Sequence, residues 1–125
     1  MSAESPLHLA GISIDCADPA QLAAFYVEVL HGAMEWSSEA SAAVRVSPDI
    51  VLVCQRVADC RPPAWPSSSI LHLDLAGDEG ADPAALEQRA LRAGARVAAA
   101  QFDSRWRVYL DPAGHPFCIT TIVPS

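Results

Sequence analysis

The run Asp18-Pro-Ala-Gln-Leu22 returns as Asp82-Pro-Ala-Ala-Leu86, 64 residues later, about half of a 125-residue chain. Each copy reads as a helix start. An aspartate stands where an N-cap accepts from free backbone N–H groups, and a proline follows at the first helical position, where its missing N–H costs nothing. Each predicted helix stops at a Gly-Ala pair, Gly32-Ala33 and Gly94-Ala95, glycine being suited to the left-handed residue after a helix. The helices are therefore expected over Pro19–His31 and Pro83–Ala93. The first carries an apolar stripe of Leu22, Phe25, Tyr26, Val29 and Leu30 at helical spacing. The second is alanine-rich, with Leu86, Ala90 and Ala93 on one face.

Strand-like segments surround both helices. Leu7–Asp15 alternates apolar and polar residues before the first helix, and Ala33–Trp36, Ala42–Val46 and Ile50–Val57 follow it. Ala58–Ser69 holds Pro62, Pro63 and Pro66 and reads as a linker. Ile70–Ala76 then alternates, with Leu71, Leu73 and Leu75 facing one way and His72, Asp74 and Ala76 the other. Arg96–Gln101, Arg105–Leu110 and Phe117–Val123 complete the second half, with a β-turn at Asp111-Pro-Ala-Gly114. The expectation is an α+β chain forming a single domain over residues 1–125, with one βαβββ module over about 7–57, a linker over 58–69 and a second module over about 70–123. Neither half-sheet can bury its inner face alone, so two halves, or two chains, must pair.

Composition excludes several functions. Apolar residues make up 51% and charged ones 18%, which argues against disorder. Fifteen acids against eight arginines leave a net charge of −7, which repels nucleic acid and anionic membrane surfaces. There is no lysine, hence no Schiff-base chemistry and no phosphate loop of the GxxxxGK type. Apolar runs are too short to span a bilayer. The start, Met1-Ser-Ala-Glu-Ser-Pro6, lacks the features of a secretory signal. Cys16, Cys54, Cys60 and Cys118 form no CxxC pair and are expected as small apolar side chains in a reducing cytoplasm.

The ordered set Ile12-Ser-Ile-Asp15, Asp18-Pro-x-x-Leu-x-x-Phe-Tyr26, Leu30-x-Gly32, Leu71-His-Leu-Asp74, Leu91-x-x-Gly-Ala95 and Asp111-Pro-x-Gly-x-x-Phe117 resembles the vicinal oxygen chelate superfamily. That group includes glyoxalase I, extradiol dioxygenases and the fosfomycin- and bleomycin-resistance proteins, and the resemblance is strongest to its glyoxalase-like domain proteins. It implies two paired βαβββ modules forming a curved mixed sheet with a concave cleft, and a homodimer. Metal-dependent relatives take a His, Gln or Glu from each module's first strand and a Glu from each last strand. Carried onto this chain, those positions fall on Gly11, Gln55, His72 and Cys118. One imidazole, one thiol and one neutral amide are a poor set for a hard cation, which wants carboxylates. The expectation is accordingly no cofactor. If a divalent metal is held, His72, Gln55 and Cys118 are its ligands.

The concave face remains the candidate site. Ser13, Asp15, His72 and Asp74 alternate to the side away from the helices. His72 with Asp74 can form an acid–base pair, or the two simply satisfy each other. Gln55, late in an apolar strand, should have a partner, either a ligand or the backbone. Trp65, in Arg61-Pro-Pro-Ala-Trp-Pro66, can lid the cleft and stack on a flat ligand, or clamp the linker onto the sheet. Arg107 and Tyr109 share a strand face and can meet an anionic group. Cys118 reads more readily as an inert buried thiol than as a nucleophile. Trp36 and Trp106 suit core or dimer contacts, His115 a solvated turn, and His31 the helix C-terminus. The leading expectation is metal-independent binding of a flat aromatic or natural-product small molecule. The alternative is a lyase, isomerase or cyclase using His72 with Asp74 or Asp15, or an unusual metal site.

Overall fold

The structure is a computed structural model that describes residues 6–67 and 71–120. In chain order it contains β1 (Gly11–Cys16), α1 (Pro19–Leu30), β2 (Ala33–Ser37), β3 (Ser41–Arg45), β4 (Val51–Arg56), β5 (Leu73–Leu75), α2 (Pro83–Ala93), β6 (Arg96–Val97), β7 (Trp106–Leu110) and β8 (Pro116–Thr120). Both halves are βαβββ. Among the described residues they form two four-stranded mixed sheets, ordered β1-β4-β3-β2 and β5-β8-β7-β6. The first strand of each module runs parallel to the last, and the other pairings are antiparallel.

The repeated aspartates cap both helices. Gln21 N–H donates to Asp18 Oδ1 at 3.1 Å and Ala84 N–H to Asp82 Oδ1 at 3.2 Å. The first helix ends differently from expectation. The left-handed residue is His31, φ 53°, one position before the glycine. Gly32 is needed for closeness instead, because a Cβ there would lie 2.4 Å from Val44 Cγ1 and 2.9 Å from the Arg45 carbonyl. In α2, Gly94 does take the positive φ, at 123°.

Several strands are shorter than their sequence patterns. Leu7–Ala10 lies outside β1, and Leu7 is fully exposed. Ile70 falls outside the described residues, and Leu71 is 82% exposed, so it does not join the face of Leu73 and Leu75. β6 stops at Val97 rather than Gln101 for a visible reason. The Gln101 amide takes over backbone pairing: its Nε2 donates to the Ala98 and Val108 carbonyls, and its Oε1 accepts from Val108 N–H. The expected strand through Val123 is described only to Thr120.

The modules meet through their helices. Leu22, Phe25 and Tyr26 of α1 are buried with Ile14, Cys16, Val44, Leu52 and Cys54 of the first sheet, and with Tyr109 and Phe117 of the second. The rings of Phe25 and Phe117 lie 5.7 Å apart. Asp111 is fully buried at the seam. Its Oδ2 accepts from Tyr26 Oη at 2.7 Å, while Oδ1 accepts from the N–H groups of Ala113 and His115 at 2.9 and 3.0 Å. His115 is not a solvated turn residue. It is half-buried, and its Nε2 lies 2.6 Å from the Asp15 carbonyl.

The core is also a set of protonated acids. Burial first, then neighbouring groups, pushes the Cys16 thiol up to about 11 and Cys54 to about 12 from an ordinary 9.0. Burial and then the Asp111 carboxylate push Tyr26 well above its usual value. Raised folded-state values mean that the unfolded chain loses these protons first as pH rises. Above the ordinary thiol value the folded state therefore binds more protons, and stability falls with increasing pH. The urea midpoint should be level between about pH 7 and about pH 8 and drop steadily above about pH 9. A level midpoint through the alkaline range contradicts this account.

Candidate functional site

Strand alternation places the candidate residues. On β5, Leu73 and Leu75 turn toward the helices, which sends Asp74 to the opposite face. Asp74 sits beside Cys118 of β8 in register. His72, just before β5, brings Nδ1 to 3.1 Å from Asp74 Oδ1 and 3.7 Å from Cys118 Sγ. The three donor atoms lie within 4.8 Å of one another.

Cys118 is the buried floor of this cluster, packed with Ala98 and Val108 beneath Trp65, Trp106 and Leu110. Burial first, then the Asp74 carboxylate, pushes its thiol up to about 11. It is a protonated donor at neutral pH, not a nucleophilic thiolate. Trp65 is the wall. Its Nε1 donates to the Ala100 carbonyl at 3.1 Å, which ties the linker across this face. Its ring meets His72 edge-on at 5.9 Å and Phe102 at 6.0 Å. Phe102 is 66% exposed and was not among the candidates from sequence. Its signal was a single aromatic between Gln101 and Asp103, just past the point where alternation fails.

The first-module candidates sit on a different sheet. Ser13 and Asp15 point away from α1 and are exposed, and Asp15 is the register neighbour of Gln55. Gln55 is exposed, on an open face where an amide carries no burial cost. None of these three joins the His72 cluster, whose third donor is Asp74 in place of Gln55. Gly11 is fixed by sterics as well, since a Cβ there would lie 2.8 Å from the Val51 carbonyl oxygen.

Arg107 and Tyr109 do share a strand face, but it is the one turned toward α2, opposite His72 and Asp74. Both donate to Glu87 Oε1, from Arg107 Nε at 2.7 Å and Tyr109 Oη at 2.8 Å. Trp36 is partly exposed on β2, with Nε1 donating to Ser41 Oγ at 2.9 Å. Trp106 packs beside Cys118 under the Arg105 guanidinium.

A hard divalent cation does not fit these donors. Its carboxylate-rich shell is poorly served by a set of one carboxylate, one imidazole and one thiol. The Asp74–His72 and His72–Cys118 separations do resemble the edges of a zinc tetrahedron, about 3.3 Å and about 3.6 Å for ordinary zinc bond lengths.

Two βαβββ modules with helices on one face and a donor-bearing face opposite define the vicinal oxygen chelate class. The chain belongs to the Glyoxalase-like domain family, whose profile matches residues 11–120. No curated protein sequence matches it. Among solved structures, a glyoxalase/bleomycin resistance protein/dioxygenase family enzyme from Burkholderia phytofirmans PsJN is similar at 16% identity and TM-score 0.73, covering 94% of this chain and 100% of that one. A glyoxalase-related enzyme from Fulvimarina pelagi is 20% identical with TM-score 0.70, over 92% and 88% of the two chains. The fosfomycin resistance protein FosX from Mesorhizobium loti is 13% identical with TM-score 0.71, over 95% and 94%. At these identities the likeness concerns the fold. No helix among the described residues is long and apolar enough to cross a membrane.

Proposed function

We propose that the face carrying Trp65, His72, Asp74 and Phe102 binds a flat aromatic small molecule without a metal, as a sequestering protein does. The observation that carries this reading is the Trp65 indole, fixed by its bond to Ala100 and standing beside an exposed Phe102 and the His72 imidazole. Two aromatic walls and one acidic, hydrogen-bonding floor suit a planar ring bearing a basic nitrogen. The test is titration with 9-aminoacridine read by tryptophan quenching, alongside metal analysis of protein purified without chelators. Saturable quenching by metal-free protein is expected. A stoichiometric transition metal that disappears in His72→Ala overturns the metal-independent reading.

A second reading is favoured by the His72–Asp74 contact of 3.1 Å. Asp74 on Nδ1 leaves Nε2 to face a ligand, an arrangement for general acid–base chemistry of a lyase, isomerase or cyclase. Turnover of a bound ligand, lost in His72→Ala with binding kept, would establish it. Homodimer formation belongs to the same proposal. Among the described residues β1 and β5 each pair on one side only, and the exposed Leu7, Leu9 and Leu71 precede them. Light scattering should give the mass of two chains; a single-chain mass at micromolar concentration contradicts it. Four free thiols suit a reducing cytoplasm.

A further inference from the structure

The two helices repeat a sequence but not a packing. In α1 the pair Leu22-Ala23 is buried against its sheet, whereas at the equivalent place α2 has Leu86-Glu87, both half-buried. A carboxylate thus replaces a buried methyl group, and Glu87 receives Tyr109 Oη and Arg107 Nε from the sheet. These polar contacts hold the start of α2 off β7 and β8, and a cavity of about 840 Å³ opens between them. That size falls in the range of small-molecule sites, about 300–1,000 Å³.

The cavity has two unlike ends. At one, Arg107 gives Nε to Glu87 and hydrogen-bonds the Tyr109 hydroxyl, while its side chain stays 55% exposed with N–H donors to spare. At the other, Leu86, Ile119 and Gly77 lead into a mainly apolar recess of about 50 Å³ bounded by Val29, Leu30 and Leu75, with Arg89 in its wall. Asp78 and Glu79 stand on the lip formed by the loop before α2, so an anion is directed to β7 and away from that loop.

We infer that this cavity, on the opposite side of the second sheet from the His72 face, is a separate binding site for an organic carboxylate with an apolar body. The carboxylate takes the solvent-facing N–H groups of the half-exposed Arg107 guanidinium, whose planar donors suit it, and the body lies against Leu86 and Ile119. This site is independent of the aromatic face proposed above.

Isothermal titration with 2-naphthoate tests it, with naphthalene-2-carboxamide as the uncharged control. Saturable binding of naphthoate is expected, weakened about tenfold or more in the carboxamide and in Arg107→Met, and retained in Trp65→Ala. Ala84→Phe, made at an exposed helix position lining the cavity, should block binding while leaving the melting temperature unchanged. Equal affinity in wild type and Arg107→Met, loss of binding in Trp65→Ala, or no heat of binding at millimolar naphthoate each overturns the inference.

Discussion

Replacement of Asp111 by alanine should lower stability by about 3–5 kcal/mol, because the Tyr26 hydroxyl and two backbone N–H groups lose their acceptor, at about 1–3 kcal/mol for each group left buried and unsatisfied. The side chain is fully buried and accepts three hydrogen bonds, one of them from Tyr26 in the other module. Alanine leaves the Tyr26 hydroxyl buried without an acceptor and frees the turn that presents His115 to Asp15. In a chain of this size the melting temperature should fall by roughly 10 °C or more. Asp111→Asn keeps an acceptor for the turn and should cost less, and Tyr26→Phe, which removes one bond, about 1–3 kcal/mol. A change under about 0.5 kcal/mol for Asp111→Ala, typical of unremarkable surface positions, would mean that the seam is held by the aromatic packing alone.

Trp65→Ala carries the largest expected functional effect. Loss of the indole should weaken 9-aminoacridine binding by about 2 kcal/mol or more, roughly thirtyfold, as expected for a tryptophan at the centre of a binding site. The same change thins the cover over the buried group of Ala98, Val108 and Cys118, against which that ring packs. The Cys118 thiol should therefore react faster with a disulfide reagent, a readout that binding alone would not give. Unaltered affinity, with Cys118 newly reactive, would leave Trp65 as a cover for the second sheet and remove it from the site.

What the sequence discloses follows from how local each feature is. Asp18 and Asp82 announce their helices because a cap involves only the next few residues. The alternation of β5 separates Asp74 from Leu73 and Leu75, since the period of a strand is a backbone property, whereas its register beside Cys118 comes from the fold. Leu71 misleads because alternation continues past the point where pairing stops, and nothing nearby in sequence marks that limit. Gln101 hides for the opposite reason, as its side chain imitates backbone bonds and closes the β6 pairing early. The apolar neighbours of Gln55 suggest an amide in need of a partner, yet the face it occupies is open. Arg107 and Tyr109 share a face as their spacing implies, but only the fold says which one, and their partner Glu87 lies on a helix 20 residues before Arg107 and 22 before Tyr109.

The close approach of Gly11 to Val51 also limits what can be engineered into the first sheet. Any larger residue at position 11 meets a backbone carbonyl, not a movable side chain, so β1 must shift relative to β4 before one can be accommodated. Adding a side chain at this point of β1 is therefore a two-step change, in which the strand spacing comes first and the new side chain second.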